Sequence, residues 1–137
     1  MTAYRYLLDT NIVSELIKKP RGVVARRMLS LKIENFCCTS IIVACELRYG
    51  AVKKLSPQLS FNVEQVLNSL PILPLEESVV DVYANIRVDL ESSGLPIGQH
   101  DLLIAAQALS LGLIVVTANE REFSRVENLI VENWLND

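Results

Sequence analysis

Short apolar runs rich in β-formers alternate with longer stretches of helical periodicity along this chain, and that alternation limits the fold more than any other feature. Residues 4–8 and 113–116 read as buried strands, with 35–38 and 129–131 as weaker versions of the same signal. Helical periodicity covers 11–18, 22–31, 40–54, 57–70, 76–92, 99–111 and a short 120–126. Pro20, Pro57, Pro71, Pro74 and Pro96 fall at the boundaries, as do Gly22, Gly94, Gly98 and Gly112. Strands separated by helices indicate an α/β fold, a short parallel sheet with helices on both faces. No repeat, low-complexity tract or long linker divides the sequence, so one domain over residues 1–137 is expected.

Half of the 137 residues are hydrophobic, which is ample for one packed core and excludes a disordered chain. The net charge of −3 argues against a protein whose task is to coat nucleic acid, because such binding needs many Lys and Arg contacts to phosphate. A nuclease can still carry a local basic face. Lys18, Lys19, Arg21, Arg26 and Arg27 form one candidate cluster, and Arg48, Lys53 and Lys54 a second. Cys37, Cys38 and Cys45 cannot all pair within one chain and show no metal-ligand spacing, so buried free thiols in a reducing compartment are expected. No signal-peptide pattern and no run long enough to span a membrane is present, and a cytoplasmic location follows as the expectation.

In a parallel α/β sheet, ligands bind outside the carboxyl ends of the strands. The first strand ends on Asp9, followed by Thr10 and Asn11. A helix start needs one capping side chain, so three polar residues in a row leave one for another task. In the 40–54 helix, Glu46 has Ile42 and Val43 one turn before it and Tyr49 and Gly50 one turn after it. A carboxylate on an apolar stripe needs a partner: a cation such as Arg48 or Lys53, solvent at the rim, or a metal. Asp101 lies in the first turn of the 99–111 helix, where the helix dipole favours acid. Ala105, Ala106 and Ala108 let that helix approach another element closely, which would hold Asp101 near the sheet edge. His100, the only histidine, reads as incidental beside a loop. After the 113–116 strand come Thr117, Asn119, Glu120 and Glu122, again at a carboxyl end.

Carboxylates converging on one sheet edge repel, which raises their pKa values and destabilises the fold unless a cation is present. Oxygen donors with no Cys or His set point to Mg²⁺ or Mn²⁺.

The segments LLDTNIVSEL, CELRYG, IGQHDLLIAAQA and VVTANEREFSRVENLIVENW resemble, in order and spacing, the PIN-domain ribonucleases, and among them the VapC-type toxins of bacterial toxin–antitoxin pairs. That resemblance implies a PIN-like three-layer fold. It makes Asp9, Glu46 and Asp101 the core acidic metal ligands, and the fourth acidic place falls to Glu122 or Asn119. Many relatives carry aspartate where this chain has Asn119, which could ligate through its carbonyl but brings no charge. Thr10, Asn11 and Thr117 are expected to orient these groups. The implied activity is endonucleolytic RNA cleavage by activated water, dependent on Mg²⁺ or Mn²⁺, leaving a 5′-phosphate and a 3′-hydroxyl. The implied assembly is a homodimer, silenced by a VapB-type antitoxin in a toxin–antitoxin assembly that meets DNA only through the antitoxin. Two other readings stay open. A phosphatase of the haloacid-dehalogenase kind also ends its first strand on aspartate, but expects a second aspartate at the place of Asn11. A catalytically inactive PIN domain, serving protein interaction, would suit the neutral Asn119.

Overall fold

The computed structural model describes residues 4–136. Strand β1 (Tyr6–Leu8) leads into α1 (Thr10–Lys18) and α2 (Val23–Leu31), then β2 (Cys37–Ser40), α3 (Ile41–Lys54) and α4 (Pro57–Ser69). A short β3 (Ile72–Leu73) precedes α5 (Val79–Ser92) and α6 (Gln99–Leu111), and the chain closes through β4 (Ile114–Val116), α7 (Glu120–Phe123) and β5 (Val131–Glu132). The sheet is five-stranded in the order β3-β2-β1-β4-β5, and every pairing is parallel. Each crossover is therefore helical, as the alternating pattern requires.

The strand order reverses direction at β1, which pairs with β2 on one side and β4 on the other, Leu8 lying opposite both Thr39 and Val116. Right-handed crossovers then put α1 to α4 on one face and α5 to α7 on the other. Such a reversal opens a crevice at the carboxyl ends of the two diverging strands, here β1 and β4.

The core follows the apolar pattern. Leu7, Leu8, Val115 and Val116 are fully buried in the central strands, against Ile12 and Val13 of α1, Val43 of α3, and Ile104 and Ala105 of α6. Trp134 is buried at 1% exposure, edge-on to Tyr6 with ring centroids 5.1 Å apart, and the Arg27 guanidinium lies 5.5 Å from its ring centre. Helix α6 ends on Gly112 in the left-handed region at φ +69, where a side chain is strained, and this turn returns the chain to β4.

Several details differ from the sequence pattern: α5 starts at Val79 and not at 76, and α7 stops at Phe123 and not at 126. Residues 35 and 36 lie in a 3-10 turn (Glu34–Phe36), and β2 instead runs to Ser40. Strand β3 has only two residues between Pro71 and Pro74, too few to show an alternation. It is secured from outside by Gln107 of α6, fully buried, whose side-chain amide donates to the carbonyls of Leu73 at 3.2 Å and Pro74 at 3.1 Å. Strand β5 sits at Val131–Glu132, at the end of the run expected over 129–131. Finally, all three cysteines are free thiols, but Cys45 is exposed on the outer side of α3 while Cys37 and Cys38 are buried, where desolvation pushes both thiols up to about 12. No helix among the described residues is long and apolar enough to cross a membrane.

Phe123 is fully buried and is the only residue of the four-residue α7 that enters the core. Phe123→Ala should cost about 3–5 kcal/mol of stability in denaturant unfolding; a loss under about 1 kcal/mol would mean that α7 is held by something else.

Candidate functional site

The carboxyl end of β1 delivers Asp9 to the crevice. Asp9 is only 3% exposed and is itself the N-cap of α1, its side chain accepting from Thr10 N at 2.8 Å and its carbonyl from Ile12 N and Val13 N. The same carboxylate takes a second bond, 2.8 Å, from the hydroxyl of buried Thr117 just beyond β4. Capping and a site role thus fall on one side chain, which frees Thr10 and Asn11 for other contacts. Thr10 Oγ1 donates to Glu46 Oε1 at 3.0 Å. Asn11 Oδ1 accepts from Ala118 N at 2.9 Å and so ties the turn after β4 to the start of α1.

Glu46 reaches this edge from the first half of α3, which Ser40 caps through a 3.1 Å bond from Ile42 N. Thr39, the other candidate cap, instead turns inward and donates to Leu8 O at 2.6 Å, locking β2 to β1 beside the site. Among the described residues neither Arg48 nor Lys53 pairs with Glu46; the imidazole of His100 stands beside it, with Nδ1 3.6 Å from Oε2. The histidine read as incidental in the sequence therefore stands at the rim of the acidic group. Its place in the chain directly before Asp101 was the signal for it.

Asp101 projects from the first turn of α6, whose Ala105, Ala106 and Ala108 are fully buried. Its Oδ2 accepts from Asn119 Nδ2 at 3.1 Å, and the same amide nitrogen donates to Glu122 Oε2. Asn119 and Glu122, the two candidates for the fourth place, are therefore joined to each other and to Asp101. The amide of Asn119 also anchors the turn, its backbone N–H donating to Thr117 Oγ1 at 2.9 Å.

The electrostatics follow from this crowding. Burial pushes the Asp101 carboxyl up from its ordinary 3.8 to about 6, and the neighbouring carboxylates of Asp9, Glu122 and Glu46 push in the same direction while the Asn119 hydrogen bond opposes them. Asp9 is also raised, first by burial, with Thr117 and Thr10 opposing and Glu46 adding. Among the described residues no Lys or Arg forms an ion pair with any of the four acids. Nor do three Asp, Glu, His or Cys side chains close into a ligand cluster among those residues. The oxygens are instead held by the hydroxyls of Thr10 and Thr117 and the amide of Asn119, which leave lone pairs free. An uncompensated, all-oxygen acidic edge suits a hard divalent cation in charge and donor type.

Residues 6–129 match the PIN domain family. The chain belongs to that family. It is similar along nearly its whole length to Ribonuclease VapC2 of Haemophilus influenzae, at 41% identity over 96% of this chain and 98% of that one. The tRNA(fMet)-specific endonuclease VapC of Salmonella typhimurium is 36% identical over 95% of this chain and 98% of its own length. Among solved structures, VapBC2 from Rickettsia felis bound to a DNA fragment from its promoter matches with a TM-score of 0.86 and 36% identity, covering 94% of this chain and 98% of that one. The PIN-like α/β fold expected from the sequence is thereby shown.

Asp101 makes the stability of the metal-free protein depend on pH. Its folded-state pKa lies above the unfolded value, so between about pH 4 and 6 the native state binds the extra proton and stability falls as pH rises, the penalty being complete above about 6. In EDTA, Asp101→Asn should flatten this limb and melt above the wild type at pH 7. Thermal denaturation from pH 4 to 8 tests this, and an equal or lower melting temperature at pH 7 would contradict it.

Proposed function

We infer that this chain is an endoribonuclease toxin of the VapC type, neutralised by a VapB-type antitoxin. It belongs to the PIN-domain family, its relatives at 32–41% identity are named as VapC ribonucleases, and its structural neighbours are VapBC complexes. The activity would depend on Mg²⁺ or Mn²⁺, which Asp9, Glu46, Asp101 and Glu122 would hold. The observation that carries this reading is the convergence of these acids at the β1–β4 crevice with no Lys or Arg ion-paired to them among the described residues. Asn119 is neutral, which is the feature that suits an inactive domain. Glu122 beside Asp101 supplies the missing charge and favours an enzyme.

When bound, the cation supplies Lewis acidity toward a phosphoryl oxygen and toward the attacking water. The chain's own groups prepare that edge. Thr117 and the Thr10 N–H fix both oxygens of Asp9, and the Thr10 hydroxyl turns Glu46 toward the same opening. Asn11 holds the 117–119 turn against α1, so the acids from β1, α3, α6 and α7 keep one geometry. In-line attack by water leaves a 5′-phosphate and a 3′-hydroxyl, and the RNA 2′-hydroxyl is not consumed.

The toxin works on cytoplasmic RNA as a homodimer, which associates with antitoxin in a larger assembly. The net charge of −3 is consistent with leaving promoter DNA to the antitoxin. The name of the Salmonella typhimurium relative makes tRNA(fMet) the first substrate to assay.

Antitoxin-free protein should cut RNA with Mg²⁺ or Mn²⁺ and not in EDTA. Loss of an outer-shell partner at such sites typically costs about 10–100-fold, so Asp9→Asn and Asp101→Asn should each lose at least about 100-fold in cleavage while staying folded. Growth inhibition on expression should vanish with them. Cleavage that persists in EDTA, or full activity of purified Asp101→Asn, would overturn the assignment.

A further inference from the structure

We propose that Asn119 is a positioning residue: its side-chain amide brackets the Asp101 and Glu122 carboxylates and brings Glu122 into the acidic site, while its own oxygen stays out of the ligand set. The inference rests on the reading of the site as a metal centre and says how this chain builds it around a neutral residue.

The geometry is specific. Asn119 Nδ2 stands 3.1 Å from Asp101 Oδ2 and also donates to Glu122 Oε2. An amide nitrogen has two hydrogens, and here each goes to a different carboxylate. The side-chain oxygen, on the other arm of the same planar group, is thereby turned from both acids. Asn119 is fixed from behind as well, because its backbone N–H donates to the Thr117 hydroxyl, which in turn donates to Asp9. It occupies the N-cap place of α7 yet makes no side-chain cap bond, so the amide is committed to the acids and not to the helix. Fully buried Phe123 holds α7 down, and Glu122 beside it has a fixed base from which to reach the bracket.

The chemistry explains why asparagine suits this place. Two carboxylates sharing one donor group are drawn together by partial positive charge without a full charge being added. Aspartate at the same position would remove both hydrogens and put a third negative charge between the other two. In this chain the fourth carboxylate comes from Glu122, and the bracket is what makes its approach to Asp101 tolerable.

A double-variant cycle separates a bracket from an independent ligand, read first on metal-free protein by thermal denaturation in EDTA near pH 7.5. Asn119→Asp should lower the melting temperature more than Asn119→Ala does, and adding Glu122→Gln to Asn119→Asp should recover most of the loss. A wild-type melting temperature for Asn119→Asp would overturn the bracket. The second readout is Mn²⁺ binding by calorimetry, without RNA. Asn119→Ala and Glu122→Gln should each weaken it about 10-fold, and the double variant no more than the larger single loss, because both act through one contact. Losses that multiply, or unchanged affinity in Glu122→Gln, would overturn the proposal; should Asn119→Asp fail to fold, this second cycle decides alone. Wild-type protein that neither binds Mn²⁺ nor cuts RNA would count against the functional reading, while the EDTA cycle would still test the bracket.

Discussion

A carboxylate buried at the end of the central strand is the constraint on which this molecule turns. Asp9 is almost wholly removed from water, in a place where an unpaired charge costs several kcal/mol. Its compensation is local and neutral: the first N–H of α1 on one side and a hydroxyl from the neighbouring strand end on the other. The helix start, the β1–β4 junction and the acidic edge are therefore one arrangement. Polar groups from Thr10, Asn11 and the 117–119 turn spread outward from it to Glu46 and to the second helical layer.

This design leaves negative charge unneutralised on purpose-built ground. Elsewhere on the surface the chain forms ordinary i,i+4 ion pairs, Lys19 with Glu15 and Arg87 with Glu91, so partners for acids are within its repertoire. At the crevice it uses hydroxyls and an amide, which orient carboxylates without cancelling their charge. Burial first, and then repulsion from the neighbouring carboxylates, lifts Asp101 to about 6, and a bound divalent cation would relieve the repulsive part.

Much of this was legible in the sequence, for identifiable reasons. Strands β1 and β4 and helix α6 are long enough, or apolar enough, for their periodicity to speak, and the polar residues that close β1 and β4 stand at the carboxyl ends where the fold places ligands. Strand β3 was not legible: two residues between prolines carry no period, and its stability comes from Gln107, distant in sequence. Cys45 could not be told from its buried neighbours because exposure on α3 depends on what the rest of the chain leaves uncovered. At the site, sequence gave the acids but not their company. That Asp9 is its own helix cap, that His100 leans on Glu46, and that Asn119 faces the acids through nitrogen are properties of orientation, which spacing alone does not encode.

The crossing of the chain from the β3 edge back past β1 also bears on how such a protein comes into being. Asp9 and the Thr117 hydroxyl that steadies it are 108 positions apart, and Glu122 arrives later still. The first hundred residues supply Asp9 with the Thr10 N–H but not with the Thr117 hydroxyl, and the crevice does not exist until the fourth strand slots in beside the first. The acidic edge is therefore a product of long-range folding, complete only when the segment from α6 to α7 has docked against β1.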